Sequence, residues 1–150
     1  MTSPADPIRA LEEQLGHRFK DRDLLLRALT HTSYANEQQP PALDNDSLAF
    51  LGDAVLSLIV AEHLWETAGH EPVGVLTPLR ASVVSGENLA RWAEGLALGP
   101  MLRLGKGEEL TGGRAKRSVL ATAFEAILGV VYLEGGLPAA RVVVKRLAVW

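Results

Sequence analysis

Residues 45–56 read NDSLAFLGDAVL and open the most apolar segment of the chain, which continues to about Trp65. Asp44 or Asn45 is suited to cap a helix here, because both side chains accept hydrogen bonds from the free N–H groups of a first turn. The apolar residues of this segment are Leu48, Leu51, Val55, Leu58, Ile59 and Leu64. They nearly encircle a helix, and such a helix is buried. We therefore predict that it lies in the core or at a subunit interface.

Helix signals also dominate the rest of the chain, and no segment alternates with period two. Helices are predicted to begin at Asp6-Pro7, Asp21, Thr77-Pro78 and Ser85, with a longer one over about 115–133 and a last one after Pro138. Loops are predicted over 35–43, 69–75 and 105–113, where prolines or glycines cluster. The predicted fold class is all-α with about seven helices.

Composition excludes several classes of protein. The chain has 150 residues, of which 47% are apolar and 22% charged, as in a globular domain. It has no cysteine, which excludes a disulfide scaffold, a thiolate zinc site and a thiol nucleophile, and which suits a reducing cytoplasm. The first residues, MTSPADP, lack the features of a signal peptide, and the longest apolar run, Ala54 to Ala61, is too short to span a membrane. We expect a cytoplasmic protein without a membrane segment.

Two isolated carboxylates lie within apolar helices. Asp53 stands between Gly52 and Ala54, and Glu125 stands in the segment SVLATAFEAILGVV. A buried carboxylate must be paired, hydrogen-bonded or bound to a cation, because an unpaired buried charge is costly. The residues alone leave two interpretations open. Asp53 could be a structural residue held in a salt bridge, or it could share a divalent-cation site with Glu125.

Five collinear segments resemble the catalytic domain of the ribonuclease III family of double-stranded-RNA endonucleases. Asn45–Leu56, which we call the signature segment, is similar to the family's N-E-R-L-E-F-L-G-D-x-V-L. The other four are Leu29–Tyr34 (LTHTSY), Leu79–Val84 (LRASVV), Leu104–Gly113 (LGKGEELTGG) and Ser118–Gly136. The resemblance covers Ile8 to Val149, so we expect residues 1–150 to form one such domain.

The resemblance implies an all-helical homodimer that is formed through the signature segment, with Phe50 and Leu51 at the interface. It also implies that duplex RNA lies in a valley between two active sites. In the family each site holds four acids, which bind Mg²⁺, or Mn²⁺ in its place, and activate water. Those four positions are Ala49, Asp53, Thr122 and Glu125 in this chain, so two of them are not acids.

The two replacements predict a weakened site. Ala49 offers no ligand, and Thr122 offers only a neutral hydroxyl, which is a weak Mg²⁺ ligand. Asp46 lies one turn before Ala49 and does not replace the missing acid directly. We expect Asp53 and Glu125 to be the remaining catalytic acids. We also expect that the cation is weakly held and that cleavage of RNA is severely weakened or absent. The alternatives are a non-catalytic RNA-binding or scaffold subunit and a module that only dimerises.

A basic segment surrounds the glycine-rich stretch 105–113. Its cations are Arg103, Lys106, Arg114, Lys116 and Arg117, against Glu108 and Glu109 in a chain of net charge −3. A flexible connector and a phosphate-facing patch are both consistent with this composition. The charge asymmetry favours RNA-backbone contacts by Lys106, Arg114, Lys116 and Arg117.

Bacterial members of the family usually carry a separate double-stranded-RNA-binding domain after the nuclease domain. We expect no such domain within residues 1–150. The partners implied are duplex RNA and a second copy of the chain. An active paralogue or an additional RNA-binding domain is a further partner to consider.

Overall fold

A computed structural model describes residues 6–150. Residues 1–5 lie outside the described part, although the sequence analysis included them in the predicted domain and in the stretch compared with signal peptides. The α-helices are α1 Pro7–Leu15, α2 Arg22–Ala28, α3 Thr32–Glu37, α4 Asp46–Ala68, α5 Val73–Val84, α6 Gly86–Gly95, α7 Lys106–Leu110 and α8 Arg117–Leu147. Two 3₁₀ turns cover Gly99–Met101 and Gly113–Ala115. Within residues 6–150 there is no strand, only an isolated bridge between Thr30 and Arg103. The all-α prediction is confirmed.

Most of the predicted helix starts are formed by the capping residues identified in the sequence. The carboxylate of Asp6 accepts a hydrogen bond from the N–H of Ile8 at 3.0 Å, and that of Asp21 accepts one from Leu24 at 3.0 Å. The hydroxyl of Ser85 accepts one from Asn88 at 3.2 Å. These bonds satisfy backbone donors that a helix leaves free in its first turn.

Some helix boundaries differ from the sequence prediction. α5 begins at Val73, before Thr77-Pro78, so Pro78 lies inside the helix. Pro78 has no N–H, so the helical hydrogen bond to the carbonyl of Gly74 is not formed. The two predicted C-terminal helices form one element, α8, which is kinked at Gly136, where φ is 69°.

Two of the predicted loops contain short helices. The segment 105–113 holds α7 and the beginning of the second 3₁₀ turn, and the polar stretch 35–43 begins with the end of α3. These two short helices add to the predicted seven, and the joining of the two C-terminal helices in α8 removes one, so residues 6–150 contain eight α-helices. Of the two predicted caps of α4, Asp44 accepts a hydrogen bond from the N–H of Asp46 at 3.0 Å through its carboxylate. The amide nitrogen of Asn45 donates to the carbonyl of Ala28 at 3.0 Å, and its side-chain oxygen accepts no hydrogen bond.

The core is organised around α4 and α8, which cross in antiparallel directions through two glycines. A Cβ built on Gly52 would lie 1.7 Å from the carbonyl oxygen of Glu125 on α8. A Cβ built on Gly129 would lie 2.4 Å from the carbonyl oxygen of Leu48 on α4. Only glycine leaves room for two helix backbones at this distance.

The opposite side of α4 is exposed and apolar. The side chain of Phe50 is 82% exposed and that of Trp65 is 72% exposed, and the neighbouring α5 has no buried residue. The prediction that α4 lies in the core therefore holds for one face only. By length and composition, α4 and α8 each resemble a membrane span, a property that they share with core helices of soluble proteins.

Hydrogen bonds to the side chain of Glu134 connect the segment between α1 and α2 to α8. Its carboxylate accepts hydrogen bonds from the backbone N–H of Lys20 and of Asp21, and it pairs with His17 at 2.8 Å. Burial by itself raises the pKa of Glu134, but the hydrogen bonds from His17 and the two N–H groups bring it below its ordinary value. This anchor fixes the end of the first part of α8, just before the kink.

We expect the Gly129→Ala substitution to lower the free energy of unfolding by about 1–3 kcal/mol, because the added methyl group separates α4 from α8. Chemical denaturation followed by circular dichroism measures this loss. Gly86→Ala is the matched control, since a Cβ at this helical glycine meets no atom within 4 Å. Equal stability of the two variants would contradict the close helix crossing.

Candidate functional site

The two carboxylates identified in the sequence meet at the α4–α8 crossing. Asp53 follows Gly52 on α4 and is exposed, whereas Glu125 on α8 is partly buried. Burial raises the pKa of Glu125 to about 7, together with a hydrogen bond to Asp53 and the negative charge of Asp53. Glu125 therefore keeps its proton up to a pH near 7 in the absence of a cation.

The same glycine contact that packs the helices also positions this pair. The carbonyl of Glu125 lies against Gly52, which is the residue before Asp53. A larger side chain at position 52 would push α8 away and separate the two carboxylates. Their proximity therefore depends on packing in the core and not on a flexible loop.

The other two positions implied by the resemblance add no charge to the site. Ala49 is only 8% exposed and carries no polar atom in its side chain. The hydroxyl of Thr122 donates a hydrogen bond to the carbonyl of Ser118 at 2.9 Å. Its oxygen can therefore only accept further hydrogen bonds or act as a neutral ligand. Among residues 6–150, no cluster of three or more histidine or acidic side chains is suited to hold a metal ion.

Asp53 and Glu125 fit a hard divalent cation as a minimal pair. Mg²⁺ is often bound by one or two carboxylates, with water and substrate oxygens completing its octahedron. A dication would also relieve the repulsion that raises the pKa of Glu125. The two carboxylates supply half of the acidic ligands that the family resemblance implies.

The predicted basic patch is partly neutralised by its own acids. Arg114 forms two hydrogen bonds at 2.7 Å with the carboxylate of Glu109, and Lys116 pairs with Glu108 at 2.8 Å. Hydrogen bonds from these cations lower the pKa of both glutamates. Arg114 also donates to the backbone carbonyls of Gly99 and Leu102, so it connects the end of the glycine-rich segment to the first 3₁₀ turn.

The remaining cations of the patch have different surroundings. Arg103 donates to the hydroxyl of Thr30 at 2.6 Å and lies 4.9 Å from the centroid of the Tyr34 ring. Lys106 and Arg117 are exposed, and neither side chain pairs with an acid in the described part of the chain. These two cations are the ones most available to an anionic ligand.

Sequence reasoning missed the contacts that hold the glycine-rich segment against α3. The hydroxyl of Ser33 accepts from the N–H of Gly105 at 2.9 Å, and Glu37 accepts from the N–H of Lys106 at 2.8 Å. The ring nitrogen Nδ1 of His31 accepts a hydrogen bond from the N–H of Ser33 at 3.1 Å, at the start of α3. No periodic pattern in the sequence points to contacts between segments this far apart.

The raised pKa of Glu125 predicts a pH-dependent stability. The free energy that this group contributes is fully present below its unfolded value of 4.5 and is lost as the pH rises through about 7. After allowance for solvent screening of a partly exposed group, we expect Glu125→Gln to raise the Tm by about 2–4 °C at about pH 8 and to change it little below 4.5.

Thermal denaturation of wild-type protein and variant across this pH range measures the difference. Asp53→Asn is the companion variant, because it removes the charge that faces Glu125. It should give a smaller gain in the same pH range, because it leaves the burial of Glu125 in place. A gain that is independent of pH would contradict the proximity of the two carboxylates.

Comparisons with known proteins show the family to which the chain is related. A family model described as Ribonuclease-III-like matches residues 21–149. Ribonuclease 3 of Caldanaerobacter subterraneus is 48% identical over 137 residues, which cover 91% of this chain and 60% of that protein. Ribonuclease 3 of Bdellovibrio bacteriovorus is 46% identical over 138 residues, which cover 92% and 59%. The chain thus spans about 60% of the length of these curated relatives.

Solved structures give the same result at the level of the fold. A nuclease domain of ribonuclease III from Campylobacter jejuni, described as flexible in a region involved in dimer formation, is 40% identical with a TM-score of 0.86. That match covers 93% of this chain and 94% of the other. A second structure of the same Campylobacter jejuni domain is 39% identical, also with a TM-score of 0.86, and covers 95% and 94%. The chain belongs to the ribonuclease-III-like family.

Proposed function

We propose that this chain acts on double-stranded RNA as a homodimer and hydrolyses it weakly with the help of a divalent cation. The observation that carries the proposal is the Asp53–Glu125 pair, which the α4–α8 crossing holds together in a chain of this family. Substrates of this kind include the duplex regions of rRNA and mRNA precursors. The absence of cysteine suits a protein that acts in the cytoplasm.

Asp53 and Glu125 are the residues proposed to hold Mg²⁺, or Mn²⁺ in its place, with Thr122 as a weak neutral ligand. When bound, the cation lowers the pKa of a coordinated water and so supplies a nucleophile for the phosphodiester. The chain's own contribution is to keep the two carboxylates together, and a bound cation would favour the deprotonated form of Glu125. Ala49 contributes no oxygen, which is why we propose weakened cleavage.

Lys106 and Arg117 are proposed as the first contacts to the RNA backbone, because no acid of the described chain neutralises them. Arg114 and Lys116 belong to the predicted RNA-binding set, but their ion pairs with Glu109 and Glu108 must be exchanged before they reach a phosphate. Few free cations imply modest affinity that falls with salt concentration. An additional RNA-binding domain or an active paralogue would strengthen binding.

A second candidate function is that of a non-catalytic RNA-binding or scaffold subunit. The observation that favours it is the neutral character of both replaced positions. Ala49 is buried, and the hydroxyl proton of Thr122 is engaged by Ser118. In this case the fold, the dimer and the RNA surface persist while hydrolysis is lost.

A cleavage assay on a perfect RNA duplex with Mg²⁺ at low salt separates the two functions. We expect Ala49→Glu with Thr122→Asp to raise the cleavage rate by at least about tenfold, because both added carboxylates supply charge to the cation site. Weak wild-type cleavage that disappears in Asp53→Asn supports an enzyme. Intact RNA that is retarded on the gel supports the scaffold.

The double variant also tests whether the rest of the site is intact. Because Ala49 is buried, Thr122→Asp alone serves as a second variant if the double variant is less stable. Circular dichroism confirms folding of each protein. No gain in either folded variant would mean that the RNA-binding surface no longer presents a phosphodiester to the carboxylates.

The exposed apolar face of α4 and α5 is proposed to form the homodimer interface. Phe50 projects from α4 with 82% of its side chain exposed, and the partly exposed Leu51 follows it. Covering these side chains with a second copy removes apolar surface from water. The exposed Trp65 and the unburied α5 extend the same surface.

Analytical ultracentrifugation at micromolar concentration tests the interface. We expect wild-type protein to sediment as a dimer and Phe50→Asp to sediment as a monomer, because a carboxylate cannot be buried unpaired. Leu110→Asp is the matched control, since Leu110 is 87% exposed but lies on α7. Wild-type protein that is monomeric, or Phe50→Asp that remains dimeric, would contradict the assignment.

A further inference from the structure

We propose that a cavity between the end of α1 and the end of α8 binds a small phosphate dianion, either free or as the terminal group of a phosphomonoester. This anion cavity has a volume of about 250 Å³ and is lined by three arginines and two glutamates, together with Gly16 and His17. Its arginine on α8, Arg146, lies beyond the kink at Gly136, whereas Glu125 lies before it. The inference therefore concerns another part of the domain than the carboxylate pair, and it does not depend on the proposed RNA function.

Arg146 is held at the anion cavity by the backbone of α1. Its Nη1 donates a hydrogen bond to the carbonyl of Glu13 at 2.9 Å. Its guanidinium lies against Gly16, where a Cβ would lie 2.6 Å from Cζ of Arg146 and where φ is 71°. Glycine at this position thus both ends α1 and leaves room for the guanidinium. Within residues 6–150 the other N–H groups of Arg146 make no hydrogen bond, so they remain available to a ligand.

Arg18 supplies a second guanidinium to the anion cavity. Its side chain is exposed and forms neither an ion pair nor a hydrogen bond with the described part of the chain. A guanidinium presents a planar fork of N–H donors, which matches two oxygens of a phosphate and adds the attraction of opposite charges. Two such groups around one small cavity can contact different oxygens of the same tetrahedral anion.

The two acids that line the anion cavity have partners of their own. The carboxylate of Glu12 accepts a hydrogen bond from the N–H of Phe19 at 2.8 Å. The carboxylate of Glu13 lies 3.8 Å from the guanidinium of Arg9, one turn earlier on α1. The other two arginines of the cavity are thus left without an acidic partner among residues 6–150. This local excess of positive charge, in a chain of net charge −3, favours an anion.

His17 gives the anion cavity a fixed wall. Its side chain is only 9% exposed, and its Nε2 pairs with the carboxylate of Glu134 at 2.8 Å. The same carboxylate accepts hydrogen bonds from the N–H groups of Lys20 and Asp21, so the backbone on both sides of Arg18 is held to α8. Little ordering is then needed when a ligand binds. An anion between the two unpaired arginines would connect this segment to α8 a second time.

An NMR titration of the backbone amides of the full chain with inorganic phosphate tests the proposal. EDTA is present, so that no divalent cation carries phosphate to Asp53 and Glu125. Sodium chloride at the same ionic strength is the matched titration. We expect the amide signals of Gly16, His17 and Arg18 to shift saturably, with a Kd of about 1 mM or lower for phosphate and no saturation with chloride.

Two variants test the two arginines. Arg18→Gln and Arg146→Gln should each weaken phosphate binding by at least about tenfold, because each removes charge-assisted hydrogen bonds. Arg18→Gln disturbs no hydrogen bond of the described structure, so it remains informative if Arg146→Gln lowers stability. Lys145→Gln is the matched control, since it removes the same charge from the neighbouring residue, whose side chain lines a different cavity. It should keep the wild-type Kd.

The outcomes either support the anion cavity or overturn it. Glycerol phosphate that binds more tightly than inorganic phosphate identifies a phosphomonoester as the ligand, and equal affinity identifies the phosphate group alone. Amide shifts that rise without saturation, or that are the same in phosphate and chloride, overturn the proposal. An unchanged Kd in Arg18→Gln, or an equal loss of affinity in Lys145→Gln, also overturns it, because binding would then reflect only the general charge of the surface.

Discussion

The close crossing of α4 and α8 is the constraint on which the rest of the structure depends. Gly52 on α4 lies against the carbonyl of Glu125 on α8, and Gly129 on α8 lies against the carbonyl of Leu48 on α4. A Cβ atom at either glycine would collide with that carbonyl. This contact forms the centre of the core and fixes the antiparallel direction of the two longest helices. Because Asp53 follows Gly52, the same contact also brings its carboxylate to Glu125.

The site that results has half of the acidity that its family resemblance implies. The scaffold that positions the acids is intact, but positions 49 and 122 are neutral. The weakened cleavage that we propose follows from this combination of an intact scaffold and a less acidic site.

Local signals in the sequence predicted the all-α fold and most helix starts, because caps at Asp6, Asp21 and Ser85 act within one turn. The proximity of Asp53 to Glu125 was implied by the family resemblance, whereas spacing alone left it open. The pairing of Arg114 and Lys116 was not predicted, because it depends on how α7 and the following 3₁₀ turn fold back. The start of α5 was misplaced because a cap-then-proline pattern also occurs inside a helix.

A carboxyl-selective NMR titration of Glu125 in the cation-free protein tests the central claim most directly. The two-carboxylate crossing predicts a pKa of about 7 for Glu125 in wild-type protein. It also predicts a fall toward the ordinary value in Asp53→Asn, where burial alone remains to raise it. A Glu125 that titrates at its ordinary value of 4.5 in both proteins would show that α4 and α8 do not hold the two carboxylates together.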